Sequence, residues 1–268
     1  MGYCNNNYKL IFFLFIFLFY QYGAIMRRSI TAIVFAIAII FIILFSYWGN
    51  VISLFMPDPL NHLVKVANRD FAGNSTEIYF ISWYGCPYGA TLSWPLYVML
   101  RHYGNVSVQP HYSIFESDIG EPVPGLIFTN FSSNSSIQFH YIYLYNQYLN
   151  ATPNGTKITN LVQYGLEIIK NKTPEWVYSL VEKYEVNEPL AGFMLSVVNS
   201  GNPPHIATVL IITDPKGTWM LIGYPSSLTP GQILSISTNS TSLLKDINSG
   251  NVPSSIYSYY EKLEETLD

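Results

Sequence analysis

The sequence predicts an α/β domain built on one sheet and carried behind an apolar N-terminal anchor. Three observations lead there. Ile30 to Tyr47 is a run of eighteen residues without a charge, long enough to cross a hydrocarbon core at the rise of an α-helix. Downstream, short β-rich stretches alternate with segments of helical periodicity. Turn residues such as Met56-Pro57-Asp58-Pro59 and Asp214-Pro215-Lys216-Gly217 mark the joints between them.

The anchor comes first along the chain. Leu10 to Tyr20 is almost wholly Leu, Ile and Phe, and Met26-Arg27-Arg28-Ser29 separates it from the longer run. Residues 26–50 therefore read as a transmembrane signal-anchor with a basic start. Residues 1–25 are either a second membrane segment or a mis-assigned start upstream of Met26. Both readings hold Arg27 and Arg28 on the cytoplasmic side and export everything after residue 50. The expected location is the cell membrane, single-pass or two-pass, with the main domain extracytoplasmic.

Residues 51–71 form a juxtamembrane connector with a short helical pattern around Leu60–Ala67. The domain proper is expected over 72–250. Ile78 to Trp83 reads as a buried strand, and Leu92, Leu96, Leu100 and Tyr103 place one apolar face on the helix that follows. Pro95 should kink that helix. Val106–Phe115, Gly125–Asn130 and Ile137–Leu144 read as strands. A helical insert is expected at about 158–198, restarting at Thr173-Pro174. Ile206–Thr213 and Thr218–Gly223 form a hairpin. Thr229-Pro230-Gly231-Gln232 then opens a helix with a capping residue, and residues 251–268 make a C-terminal amphipathic helix.

Composition narrows the partners. Charged residues are 11% of the chain, against about 25% in an average soluble domain. Lys9, Arg27 and Arg28 are the only charges before Asp58, so ten basic residues face seventeen acidic ones in the exported part, a formal −7. That surface excludes nucleic acid, which needs a basic face. The exported part carries eight Asn-x-Ser/Thr sequons, at Asn74, Asn105, Asn130, Asn134, Asn150, Asn154, Asn171 and Asn239. They are candidate N-glycosylation sites, on a glycoprotein whose solubility leans on glycans and neutral polar side chains. The five histidines have no metal-ligand spacing, and no phosphate loop or Ser–His–acid pattern stands out. No metal and no cofactor are expected.

The chemistry-bearing stretch is Tyr84-Gly85-Cys86-Pro87-Tyr88-Gly89-Ala90, where a strand runs through a turn into a helix. A cysteine at the first turn of a helix sits beside unpaired N–H groups and the positive end of the helix dipole, which should lower its pKa. Pro87 fixes the turn and donates nothing. A dithiol site needs a second cysteine to release the substrate, and Gly89 stands in its place. Cys4 is the chain's other cysteine, expected near or beyond the anchor and out of reach.

Cys86-Pro87-Tyr88-Gly89-Ala90, Trp94, Leu96 and Tyr103-Gly104-Asn105, with the later Gly223-Tyr224-Pro225 and Leu228-Thr229-Pro230-Gly231-Gln232-Ile233, resemble the thioredoxin-like family catalogued as domain of unknown function 929. The resemblance spans roughly residues 60–250 and is most specific around Cys86. Members usually read Cys-Pro-Tyr-Cys-Ala, so this chain departs at Gly89. The resemblance implies a thioredoxin-like fold with a helical insertion in a membrane-anchored, exported protein. It also implies a cis-proline facing the thiol. Pro124, in Val123-Pro124-Gly125, is one match. The other is the start of the hairpin strand, where Ile206-Ala207-Thr208 replaces the family's Ile-Pro-Thr.

Two functions follow as expectations. In the first, the chain is at most a degenerate thiol–disulfide oxidoreductase, whose monothiol Cys86 forms mixed disulfides with an extracytoplasmic protein. In the second, it is a catalytically inactive thioredoxin-like module that binds another envelope protein. A Cys86–Cys86 bridge between two copies is a third use of the same thiol.

Overall fold

The computed structural model describes residues 37–40, 57–73, 75–188 and 196–267. The chain divides into two units, residues 1–56 and 57–268. In the first, residues 37–40 are helical, with Ile37, Ile39 and Ile40 exposed. The rest of the expected anchor lies outside the described residues, as do Cys4 and Asn74. Among the described residues no helix is long and apolar enough to cross a membrane.

The second unit is built on a five-stranded sheet. Its strands are β1 (Val64–Ala67), β2 (Thr76–Ser82), β5 (Ile137–Tyr143), β6 (Val209–Asp214) and β7 (Gly217–Ile222), in the order β1-β7-β6-β2-β5. β2 and β5 are parallel, with Thr76 opposite Ile137 and Ser82 opposite Tyr143. The other pairs are antiparallel. β2 and β6 are central because each has a run of four apolar, buried residues, Ile78 to Ile81 and Val209 to Ile212, which suits strands covered on both faces. Alternate residues feed two cores. Ile78, Phe80, Leu210, Ile212 and Leu221 enter one, while Tyr79, Ile81, Val209, Ile211 and Met220 enter the other.

A parallel pair needs a long crossover. It is supplied by helix α1 (Pro87–Tyr103) and by strands β3 (Gly104–Tyr112) and β4 (Pro124–Ser133). Contrary to the one-sheet expectation, β3 and β4 pair only with each other among the described residues, as a separate antiparallel ribbon. β3 has buried positions on neither face, only half-buried residues alternating with exposed ones. It therefore suits an outlying ribbon and not a layer covered on both sides. The ribbon lies against α1, where Trp94 Nε1 donates to the Pro124 carbonyl at 2.8 Å. Gly125 permits the approach, since a Cβ there would stand 2.5 Å from the Ala90 backbone.

Helix α1 is buried nearly all round from Gly89 to Leu100, a wider apolar surface than the single face expected. The helix continues through Pro95, which lacks an N–H for the Thr91 carbonyl one turn back. The second half of the helical pattern expected at Leu60–Ala67 is instead edge strand β1, recruited by pairing with β7, and Leu60 makes an isolated bridge to Ile222.

Between β5 and β6 lies the helical insert: α2 (Leu161–Lys172), α3 (Glu175–Val181), a π-helical turn (Glu182–Asn187) and a 3₁₀ turn (Val197–Asn199). The last part of the insert expected to about residue 198 falls partly on residues 189–195, outside the described ones. Asn160 caps α2 by accepting from the Gln163 N–H at 3.0 Å. Pro174 precedes α3 as its N-cap residue, one place before the expected first helical position. Three helices close the chain. α4 (Pro230–Ile236) opens with a capping box between Thr229 and Gln232. α5 (Ser240–Asn248) is an addition to the expected elements, and Asn239 caps it by accepting from the Ser242 N–H. α6 (Ser254–Glu264) is docked and not frayed. It buries Ile256, Tyr259 and Leu263 in the core shared with α1, and Tyr103 donates to Glu264.

Candidate thiol site

The turn carrying Cys86 is pinned on both sides. The Tyr84 N–H donates to the Tyr145 carbonyl at 3.2 Å, and the Ile114 N–H donates to the Gly85 carbonyl at 2.8 Å. His111 Nε2 lies 2.9 Å from the Tyr84 carbonyl and 2.8 Å from Gln147 Oε1. Gly85 is required for close approach, because a Cβ there would meet the Gln147 carbonyl oxygen at 2.1 Å and the Trp83 ring at 2.6 Å. Cys86 itself is the N-cap residue of α1, with Pro87 as the first helical residue.

Two features expected at helix N-termini are present. The Tyr88 and Gly89 backbone N–H groups act on the Cys86 sulfur and favour its thiolate, as does Thr208, whose Oγ1 lies 3.0 Å from Sγ. They are outweighed. Cys86 is 3% exposed, and desolvation pushes its pKa up, with a smaller push in the same direction from Glu116. The expectation of a lowered pKa is thus corrected: the dipole and N–H groups are there, but the low-dielectric surroundings of a buried sulfur cost the charged form more. Tyr88 lies over the same core, its ring 4.8 Å from that of Tyr224. Its phenol is pushed up by burial and by Glu116. Glu116 is itself pushed up by partial burial and by Asp118. Glu116 thus lies close enough to act on the thiol electrostatically, and Asp118 acts on Glu116.

The position of the missing cysteine is closed. A Cβ on Gly89 would stand 2.1 Å from Ser82 Oγ and 3.2 Å from Thr208 Oγ1. Ser82 Oγ and Thr208 Oγ1 are 2.8 Å apart, so a buried chain of two hydroxyls and the thiol runs Ser82–Thr208–Cys86. A cavity of about 10 Å³ adjoins Ser82 and Gly89, room for about one water.

Pro124 does not carry the cis peptide bond expected of it. It opens β4 opposite Tyr112, with its carbonyl turned to Trp94, and the cis peptide bond among the described residues is Asn202–Pro203. The segment that faces Cys86 is Ile206-Ala207-Thr208, entering β6. Where an Ile-Pro-Thr segment would present no N–H, Ala207 has one, and it donates to Glu185 Oε2 at 2.8 Å. Glu185 is fully buried, and among the described residues its Oε1 has no hydrogen-bond partner. Its carboxyl is pushed up to about 8 by burial, the Ala207 N–H opposing. Tyr145 links the same segment to the insert, accepting from the Ile206 N–H at 3.3 Å and donating to the Leu161 carbonyl at 2.7 Å.

The structure thus brings Cys86, Pro87, Tyr88 and Gly89 together with Thr208, which lies in the segment the resemblance marks, and with Ser82 and Glu185, which the sequence pattern does not single out. Ser82 carries a faint signal as a polar end to an apolar strand; Glu185 carries none. The seven described sequon asparagines, Asn105, Asn130, Asn134, Asn150, Asn154, Asn171 and Asn239, are all exposed and spread over strands, loops and helix ends. Among the described residues no group of three His, Cys, Asp or Glu side chains gathers as a metal site would.

No curated protein and no solved structure matches the chain. A family description does match, "Domain of unknown function (DUF929)", over residues 62–268. The match takes in the Cys86 turn, the two-hydroxyl chain, the insert and all three C-terminal helices, so the chain belongs to the DUF929 family.

Proposed function

We propose that this chain is a membrane-anchored, extracytoplasmic thioredoxin-like protein whose Cys86 turn serves to bind another envelope protein and does not turn over disulfides. The thioredoxin-like reading draws on the sheet. A parallel pair β2–β5 is joined by a crossover, followed by antiparallel β6 and β7 in the order β7-β6-β2-β5. The thiol stands at the carboxyl end of β2, where α1 begins. Fold does not by itself give function, so the site must carry the argument.

The carrying observation is the closed position at Gly89. With Ser82 Oγ 2.1 Å from where a Cβ would be, a resolving thiol beside Cys86 would have to displace the buried Ser82 hydroxyl from its contact with Thr208. The exposed aromatic side chains of Tyr112, Phe115 and Tyr148 lie in or beside the strands and loops that pin the turn. They supply the kind of surface that protein interfaces favour.

A second reading keeps the thiol chemically active, and the two backbone N–H groups and Thr208 directed at sulfur favour it. There the Cys86 thiolate attacks a partner's disulfide and forms one mixed disulfide, and the partner's other sulfur leaves as thiolate. Nothing among the described residues then resolves the adduct. Cross-linking and capture from the native membrane separates the readings. Recovery of the same partner by wild type and Cys86→Ser supports binding. A partner held only by wild type, and released by reductant, overturns it in favour of the monothiol.

A further inference from the structure

We propose that the exposed aromatic face beside the Cys86 turn docks a cationic segment of the envelope partner, an apolar stretch that carries Lys or Arg. The proposal rests on the binding reading given above and names the chemistry of what is bound. Among the described residues of the second unit four large apolar or aromatic side chains stand exposed, Tyr112, Phe115, Tyr148 and Tyr257. The first three flank the turn. Phe115 is 62% exposed and Tyr148 74%, so most of both rings stands in water, where folding gains little from them.

Hydrogen bonds hold the three side by side. The Ile114 N–H, next to Phe115, donates to the Gly85 carbonyl at 2.8 Å. Gln147 Nε2, next to Tyr148, donates to the Tyr112 carbonyl at 3.0 Å. Gln147 Oε1 meets His111 Nε2, which also lies against the Tyr84 carbonyl. Exposed apolar surface gathered on one face marks a site of interaction, and aromatic rings are what protein interfaces favour.

Charge decides the occupant. The strand end and loop that supply Tyr112 and Phe115 continue into Glu116, Asp118 and Glu121, half-buried or exposed. Among the described residues none of these three forms an ion pair. No Lys or Arg occurs from residue 70 to 100 or from 102 to 156, and none from 217 to 244. The Cys86 turn, the loop after β3, residues 144–151 and the loop after β7 therefore contain no fixed cation. The carboxylates act on their surroundings unopposed. Burial first and Asp118 second push the Glu116 carboxyl up, and Glu116 adds to burial in pushing up Cys86 and Tyr88. A cation brought by the partner relieves each of these, whereas a carboxylate would add to them. An ammonium or guanidinium also settles well over an exposed ring such as Phe115 or Tyr148.

Fluorescence anisotropy of the full chain with short capped peptides tests the docking face, the probes alternating Leu with Lys, with Gln or with Glu. The Lys peptide should saturate one site, bind more tightly than the Gln peptide and weaken as salt rises. The Glu peptide should bind least. Phe115→Ser should weaken the Lys peptide by about five-fold or more, with Tyr148→Ser as a second measure. Glu116→Gln with Asp118→Asn should weaken it by about three-fold or more. Glu261→Gln with Glu265→Gln removes the same charge from the exposed side of α6 and the residue after it, and should stay within about two-fold of wild type. Cys86→Ser should bind as wild type does. No saturable binding, equal binding of the Gln or Glu peptide, indifference to both aromatic variants, or an equal loss in the α6 variant overturns the docking face. The reading of Cys86 falls on a different result, a captured partner held by wild type and lost in Cys86→Ser, which these titrations leave untouched.

Discussion

At the residue scale, Cys86 is governed by a contest between helix-end donors and burial. Because its pKa is raised, the thiolate fraction at neutral pH is below that of a free thiol. Alkylation of native protein should therefore be slow at pH 7 and reach half its limiting rate only above the ordinary value of about 8.5. Fast alkylation at pH 7 would contradict this. Ser82 decides the neighbouring position. Gly89→Cys alone should lower the melting temperature and leave both thiols reduced, since its Cβ meets Ser82 Oγ. Gly89→Cys combined with Ser82→Ala should recover stability and let the introduced thiol form a disulfide with Cys86, visible as a mass loss of two hydrogens. Glu185 is the third residue of this kind. Its folded pKa, about 8, lies above the ordinary carboxyl value, so the folded state holds a proton that the unfolded chain releases. The stability this gives is full at low pH and is lost as pH rises from the ordinary carboxyl range through about 8. Melting temperature should fall between about pH 5 and about pH 9, and Glu185→Gln should flatten that fall; equal slopes would remove the assignment.

At the scale of elements, the site depends on segments far apart in sequence. Tyr145 ties the start of α2 to the strand entering β6 through two hydrogen bonds. Tyr145→Phe would leave the Ile206 N–H and the Leu161 carbonyl without that partner. It should cost about 1–3 kcal/mol in denaturant unfolding, and it should also raise the alkylation rate of Cys86, because Thr208 follows directly in that strand. The same dependence explains how much of the fold the sequence shows. β2, β5 and the β6–β7 hairpin are legible because apolar runs and an Asp-Pro-Lys-Gly turn are local signals. Asp214 Oδ1 accepts from both Lys216 N–H and Gly217 N–H in that turn. β1 reads as helical in sequence because its state is decided by a distant partner, β7, which sets Val64 opposite Met220 and Lys65 opposite Trp219. β3 and β4 are recognisable as strands but not as a separate ribbon, since alternation tells which face is covered and not by what.

At the scale of the whole molecule, few ion pairs support the fold. Among the described residues Lys183–Glu188 at 3.7 Å is half-exposed, and the His102–Glu264 and His140–Glu77 contacts count only when the histidine is protonated. Exposed pairs of this sort contribute little. Protonating surface carboxylates should thus cost the fold little, and Glu185 favours acid conditions outright. The full chain should stay folded by circular dichroism to about pH 4, where carboxylates are half protonated; a collapse above that pH would contradict it.

Neighbouring residues are enough to set the hydrophobic pattern of the central strands, the turn that presents Cys86, the glycine in place of a second cysteine and the family to which the chain belongs. These are local properties, written within a few positions of one another. Packing of the whole chain is what buries the thiol and raises its pKa, sets Thr208 against it, and fills the space beside Gly89 with Ser82. Ser82 and Thr208 are separated by 126 positions. No periodicity spans such a gap, because burial and hydroxyl contacts arise from which strands pair across the sheet.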